Sequence, residues 1–67
     1  MLTISFNGQS ISVSEETTIA DLIHSSGIPS KFCAVEKNLE IVPKSQYASM
    51  QLADGDSVEI VTLVGGG

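Results

Sequence analysis

The segment LTISFNGQSISV, residues 2–13, decides the fold. Apolar residues alternate with polar ones on both sides of a central Asn7-Gly8: they are Leu2, Ile4, Phe6, Ile11 and Val13. A period of two predicts half-buried strands, and Asn-Gly is the strongest short hairpin signal. Because a lone hairpin is marginal in water, its apolar face needs a cover.

The next segment supplies that cover as a helix of about two turns. Thr18 is a suitable N-cap, and Asp21 lies where a carboxylate favours a helix N-terminus. Apolar residues then follow at helical spacing, namely Ile19, Leu22 and Ile23. Gly27, with Pro29 just beyond it, predicts the end of the helix.

The rest of the chain predicts three further strands. We expect a strand from Phe32 to Lys37, a tight connection at Asn38–Glu40 and a brief strand Ile41-Val42 closed by Pro43. A helical turn at Ser45–Ala48 and a turn at Asp54–Asp56 should follow, and the last strand should run from Val58 to Val64. The order ββαββ-turn-β allows the first and last strands to lie side by side. It predicts an α+β fold of the β-grasp, or ubiquitin-like, type, with a mixed sheet of about five strands and one main helix across it. Residues 1–64 would form the domain, and residues 65–67 a glycine tail.

Composition excludes several classes of function. The chain has 67 residues, a net charge of −5, one cysteine and one histidine. One domain is expected, with no internal disulfide and no metal cluster. The acidic balance disfavours nucleic acid and anionic membranes and fits a basic surface on a partner protein. Without a basic leader, a long apolar run or paired cysteines, a cytoplasmic location is expected.

The glycine end, Val64-Gly65-Gly66-Gly67, directly follows the last apolar strand. Glycine lacks Cβ, so these residues make the slimmest and most flexible backbone available. A bare thread that ends in the carboxylate of Gly67 suits entry into a narrow enzyme channel. The alternative is a disordered terminus without function.

The last strand predicts an exposed apolar patch beside this end. Alternation places Val58, Ile60, Thr62 and Val64 toward the helix and Glu59, Val61 and Leu63 on the other side. Ala34 and Val42 from neighbouring strands could join the patch, which would mark an interface. We therefore predict partner docking by four residues: Val42, Val61, Leu63 and Val64. The alternative is that the loop Pro43–Leu52 covers the patch.

The remaining reactive side chains have structural explanations. Cys33 is expected in the core, His24 in solvent near the helix end, and Tyr47 at the edge of the core. Acidic residues of the turns, such as Asp54 and Asp56, are expected to be solvated. We find no nucleophile–base pair, metal-ligand spacing or phosphate loop, so an enzyme is not expected.

Over nearly its whole length the chain resembles the ThiS family of thiamine-biosynthesis sulfur carriers. Four stretches carry the resemblance: Phe6-Asn7-Gly8; Thr18–Ile23; Ala34–Asn38 continued by Val42–Tyr47; and Asp54–Val61 running on to the terminal Gly-Gly. The third is the most specific, since a Val-Pro followed by a basic residue and then an aromatic is typical of the family. Many members have Trp where this chain has Tyr47.

The resemblance implies a protein cosubstrate of other enzymes. A ubiquitin-activator-like enzyme would use ATP and Mg to adenylate the carboxylate of Gly67, and a sulfur source derived from a cysteine desulfurase would convert it to a thiocarboxylate. Thiazole synthase would then receive the sulfur. Gly65 and Gly66 would thread the partner's channel, and the chain itself would bind no cofactor.

Other functions share the same outline. A carrier for molybdopterin or cysteine synthesis has the fold and the Gly-Gly end, although the short chain and residues 42–47 favour the thiamine pathway. A ubiquitin-like modifier attached to lysines is a second alternative. An interaction module with inert glycines is a third.

Overall fold

A computed structural model of the chain describes residues 1–62. Its elements are β1 (Leu2–Phe6), β2 (Gln9–Val13), α1 (Ile19–Ser26), a 3₁₀ turn at Ser30–Phe32, β3 (Cys33–Lys37), β4 (Glu40–Ile41), a second 3₁₀ turn at Lys44–Gln46, and β5 (Ser57–Thr62). The strands form one five-stranded sheet in the order β2-β1-β5-β3-β4. β1 and β5 are parallel and the other neighbours antiparallel. The prediction of a mixed sheet with the first and last strands adjacent is therefore confirmed.

The hairpin turn also fastens β5. Asn7 and Gly8 have φ values of 50° and 84°, the left-handed conformation that a two-residue hairpin loop with native twist requires. The Asn7 side-chain oxygen accepts a hydrogen bond from the Ile60 N–H at 2.8 Å. The Asn7 N–H in turn donates to the Val58 carbonyl at 2.9 Å. One turn residue thus closes the hairpin and joins it to the last strand.

The helix has the predicted caps. Asp21 accepts a hydrogen bond from the Thr18 N–H at 3.0 Å, and the Thr18 hydroxyl accepts one from the Asp21 N–H at 3.2 Å. This capping box satisfies two donors at the helix N-terminus. Gly27 ends the helix with a φ of 79°, a conformation that is costly for residues with a Cβ.

A single core lies between α1 and the inner face of the sheet. Its buried members are Ile4, Ile19, Leu22, Ile23, Cys33, Val35, Val42, Tyr47, Leu52, Val58 and Ile60. The core positions predicted for Cys33 and for the helix stripe are confirmed. Tyr47 is also buried, so it lies deeper than the predicted edge position.

The prediction that Val42 belongs to an exposed patch is wrong. Ile41 lies opposite Glu36 on the outer face of the sheet, and alternation therefore turns the next residue inward. Val42 is only 4% exposed, and its N–H donates to the Val35 carbonyl at 2.9 Å. β4 accordingly ends at Ile41. Other boundaries shift slightly: β3 begins at Cys33 rather than Phe32 because a 3₁₀ turn precedes it, and the predicted turn at Ser45–Ala48 begins at Lys44. β4 and β5 each begin one residue earlier than predicted, at Glu40 and Ser57.

Asp56 is buried rather than solvated, which corrects the expectation for this turn. Its carboxylate accepts hydrogen bonds from the Asn38 side chain at 3.0 Å and the Ala53 N–H at 2.8 Å, and Lys37 Nζ lies 3.8 Å away. Burial alone would raise the pKa of Asp56. The hydrogen bonds and the lysine outweigh burial and hold that pKa below its ordinary value of 3.8. The network joins the β3–β4 turn to the turn before β5.

We predict that Asp56→Asn lowers the free energy of unfolding by about 1–3 kcal/mol at neutral pH, because buried donors lose a charged acceptor. Since folding lowers the pKa of Asp56, its stabilising contribution is complete above about pH 4 and is lost as the pH falls through the lowered pKa. Urea unfolding at several pH values measures this. The gap between wild type and variant should narrow in acid; a gap that is constant with pH contradicts the prediction. Glu16→Gln, in an exposed turn, is the charge-matched control.

We predict that Val42→Ala lowers the free energy of unfolding by about 2 kcal/mol, because it removes buried methyl groups and leaves a small cavity. Val61→Ala, at a residue that is 51% exposed, should change it by less than about 0.5 kcal/mol. Chemical denaturation of both variants checks the assignment. Equal losses of stability would show that Val42 does not belong to the core.

Candidate functional site

The structure shows where β5, the strand that precedes the predicted reactive end, lies in the sheet. β5 runs through the middle of the sheet, between β1 and β3, and its last residue Thr62 pairs with Cys33. Five residues of the predicted site and docking surface, Leu63, Val64, Gly65, Gly66 and Gly67, lie outside the described residues. Within the described residues, β5 therefore ends beside the Cys33 end of β3.

The inner side of β5 is committed to the core. Val58 is fully buried and Ile60 is 5% exposed, as the alternation predicted. Thr62, which was also predicted on this side, is exposed. The buried side of the strand thus ends at Ile60, two residues before the last described residue.

The outer side of β5 carries an exposed mixed surface. Val61 lies opposite Ala34, while Glu59 lies opposite Glu36, which in turn lies opposite Ile41. We call these five residues the outer-face patch. Val61 is 51% and Ile41 67% exposed. The other half of this face, on β1 and β2, is polar: it carries Thr3, Ser5, Ser10 and Ser12.

The alternative that the loop Pro43–Leu52 covers Val61 is wrong. That loop packs on the helix side of the molecule: the Ala20 N–H donates to the Tyr47 carbonyl at 2.9 Å, and the Leu52 N–H donates to the Thr17 carbonyl at 3.3 Å. Its apolar residues Tyr47 and Leu52 enter the core. The outer-face patch therefore stays open, and of its predicted members Val61 and Ala34 are in place.

Two surface features were not predicted from the sequence. Phe32, directly before β3, is 47% exposed, and Lys31 Nζ lies 5.0 Å from the centre of its ring. On the helix side, an open cleft of about 810 Å³ lies between α1 and the 3₁₀ turn at Lys44–Gln46, with His24, Ile28, Lys44 and Tyr47 among its lining residues. Neither feature has a sequence pattern that distinguishes it from ordinary surface.

The described side chains offer little catalytic chemistry. Within residues 1–62 no group of three His, Cys, Asp or Glu side chains could hold a metal ion. Burial raises the pKa of Tyr47, with a smaller contribution from Cys33, while a backbone hydrogen bond with Val35 acts in the opposite direction. Tyr47 and Asp56, whose pKa is lowered, are both buried and structural.

Among residues 1–62, no helix is long and apolar enough to cross a membrane.

Comparison with known proteins yields one family. The model of the ThiS family matches residues 4–67. The sulfur carrier protein ThiS of Bacillus subtilis (strain 168) is 40% identical over 65 residues, which are 96% of this chain and 98% of that protein. A thiazole synthase of Paramagnetospirillum magneticum is 48% identical over 61 residues, which are 91% of this chain but only 19% of the synthase. The chain thus spans about a fifth of that relative.

Solved structures agree with the sequence comparison. The crystal structure of the thiamine biosynthesis protein ThiS from Geobacter metallireducens superimposes with a TM-score of 0.82 at 25% identity, covering 98% of this chain and 100% of that one. The predicted β-grasp fold is therefore confirmed. Since the family model and a full-length relative both match almost every residue, the chain belongs to the ThiS family.

Proposed function

We propose that the chain is a sulfur carrier in thiamine biosynthesis and that the carboxylate of Gly67 is its reactive group. The observation that carries the proposal is the match to the family along residues 4–67, which includes the glycine end. The relative from Bacillus subtilis that matches over nearly its whole length is named a sulfur carrier. The chain would act as a protein cosubstrate and not as an enzyme.

The reaction explains why activation is needed. A C-terminal carboxyl has a pKa of roughly 3.5 and is an anion at neutral pH, so it repels nucleophiles and has no good leaving group. Attack of the Gly67 carboxylate on the α-phosphate of ATP releases pyrophosphate and gives an acyl-adenylate. A persulfide sulfur, derived from a cysteine desulfurase, then attacks the carbonyl carbon and expels AMP, which carries away one carboxyl oxygen. A second thiol then attacks the donor cysteine sulfur of the resulting acyl disulfide, forms a disulfide with it, and leaves the thiocarboxylate on Gly67.

In this reaction the chain contributes a slim glycine backbone, and the partner enzyme contributes the charged groups that stabilise the phosphates. Three glycines span at most about 10 Å when extended, so Gly65 and Gly66 can pass a narrow channel while the sheet stays outside. ATP and Mg belong to the adenylating enzyme, whose metal and polar groups stabilise the phosphate charges. We place the reaction in the cytoplasm, where thiols such as Cys33 remain reduced.

Thiazole synthase is the proposed acceptor of the sulfur. In the relative from Paramagnetospirillum magneticum, a segment similar to this chain makes up about a fifth of a protein named thiazole synthase. Joining a carrier and its acceptor in one polypeptide raises their effective concentration. This arrangement supports a working pair in which the carrier binds the synthase through its own surface.

That surface is proposed to include Val61 of the outer-face patch, together with Leu63 and Val64. Val61 is exposed at the end of β5, one residue before Thr62. Exposed apolar residues beside a reactive group suit transient docking. Val42, which is buried, is no longer included.

We predict that Gly67→Ala reduces thiocarboxylate formation at least tenfold without changing the melting temperature, because a Cβ beside the reacting carbonyl must fit the channel wall. The protein is mixed with the adenylating enzyme, ATP and a sulfur source, and mass spectrometry follows the replacement of one oxygen by sulfur. Gly65→Ala is the matched control, since it adds the same methyl group farther from the reaction.

The relative losses of thiocarboxylate formation in Gly67→Ala and Gly65→Ala test whether the glycine end enters a narrow channel. A graded loss, larger at Gly67 than at Gly65, supports a channel that tightens toward the reacting atoms. If Gly67→Ala acquires sulfur at the wild-type rate, the channel argument is wrong. If the wild-type chain acquires no sulfur under conditions in which a known carrier does, the proposed function is wrong.

We predict that Val61→Ala weakens binding to thiazole synthase about tenfold, which corresponds to about 1.4 kcal/mol, because it removes apolar contact at the base of the glycine end. Leu39→Ala is the control, since Leu39 is 88% exposed but lies in the β3–β4 turn. Isothermal calorimetry measures both variants. Equal affinities for the two variants would exclude Val61 from the interface.

A further inference from the structure

Two carboxylates face each other in the middle of the outer-face patch. Glu36 of β3 and Glu59 of β5 are directly paired in the antiparallel register. Side chains in such positions have Cβ atoms about 4.5–5.5 Å apart, and like charges there destabilise a sheet. We therefore expect the pair to lower the stability of the free protein.

Within residues 1–62 neither glutamate forms a salt bridge with a cationic group. The ion pairs in the described part of the chain are Lys37 with Asp56 and the N-terminus with Glu15. Although Lys37 follows Glu36 in the sequence, its amine lies 3.8 Å from Asp56 Oδ2, away from the pair. Glu59 is exposed and Glu36 is half-buried.

Other acidic residues have roles in the fold. Asp21 caps α1, Asp54 accepts a hydrogen bond from the Thr3 N–H at 2.7 Å, and Asp56 holds two turns together. The side chains of Glu36 and Glu59 have no such role within the described residues. Their negative charges are thus available to interact with a partner protein.

The surroundings of the pair favour a cation from a partner. Val61 and Ala34 lie on one side of it, and Ile41 lies opposite Glu36. When a partner covers these apolar groups, water leaves the surface and charge–charge attraction becomes stronger. Buried interfaces of this kind commonly have a charged anchor within an apolar surround.

We infer that Glu36 and Glu59 receive a basic side chain of thiazole synthase when the outer-face patch docks on that enzyme. Arginine fits best, because its planar fork of donors can reach two carboxylates at once. The inference rests on the proposed function, since that function supplies the synthase as partner. Docking replaces one repulsion by two attractions, and the net charge of −5 speeds the encounter with a basic surface.

The experiment compares Glu36→Gln, Glu59→Gln and the double variant with Glu16→Gln, which removes one charge from the exposed turn after β2. Thermal unfolding of each free protein and titration of each with thiazole synthase, at low and high salt, are measured. We expect the double variant to melt about 2–4 °C higher, because the repulsion is relieved. We also expect it to bind the synthase at least tenfold more weakly at low salt, with a smaller salt dependence.

Opposite changes in stability and affinity are the signature of the pair, because loss of packing would lower both. Glu16→Gln should leave the affinity within twofold of wild type. The inference is overturned if the double variant binds the synthase as tightly as Glu16→Gln does, or if its weaker binding is accompanied by a lower melting temperature. Sulfur loading of the wild type, followed by mass spectrometry, tests the proposed function separately, so the two failures are distinguishable.

Discussion

The parallel pairing of β1 with β5 is the contact on which the rest of the structure depends. It brings together residues 53 positions apart in sequence, as in the hydrogen bond from Ile60 to Asn7. Closing so long a loop costs chain entropy, which the buried face of the sheet must offset. Hydrogen bonds from the Ser5 N–H to the Asp56 carbonyl and from the Asn7 N–H to the Val58 carbonyl, both at 2.9 Å, fix the register. As a result, the strand that leads to the glycine end is central and not at an edge.

This placement separates stability from recognition within one strand. Val58 and Ile60 are buried against the helix, while Glu59 and Val61 face outward. A slip of one residue would exchange the two sets, so the Asn7 and Asp56 contacts that hold the register also hold the outer-face patch in position. The proposed docking on two partner enzymes would need such a fixed surface, because the proposed reactive group at Gly67 is backbone without a side chain.

Local patterns in the sequence predicted the local elements. The hairpin, the capped helix and the inward positions of Cys33, Val58 and Ile60 follow from alternation, capping and helical spacing, and the structure confirms them. Val42 was misplaced because β4 has two residues, too few for alternation to show which side faces inward. Its orientation comes from the pairing of Glu36 with Ile41, which is a tertiary contact. The burial of Asp56 escaped for a similar reason, since its partner Asn38 is 18 positions away. The glycine end and the docking roles of Leu63 and Val64 were also predicted from local patterns, but they lie outside the described residues. Adenylation and sulfur transfer at Gly67 came from the family resemblance alone.

The pairing of Glu36 with Glu59 cannot be explained by its contribution to folding stability alone. For folding alone, the like-charge rule predicts that Glu36 opposite Glu59 costs stability and that glutamine at either position restores it. In the inferred complex, the same repulsion would be relieved when a partner cation lies between the two carboxylates. Because this relief would occur only in the complex, it would favour bound over free protein without stabilising the fold. The strands that carry the pair are held by the buried core and by the Asp56 network, which joins the β3–β4 turn to the turn before β5. The inner face and the turns therefore set how much repulsion the outer face can carry.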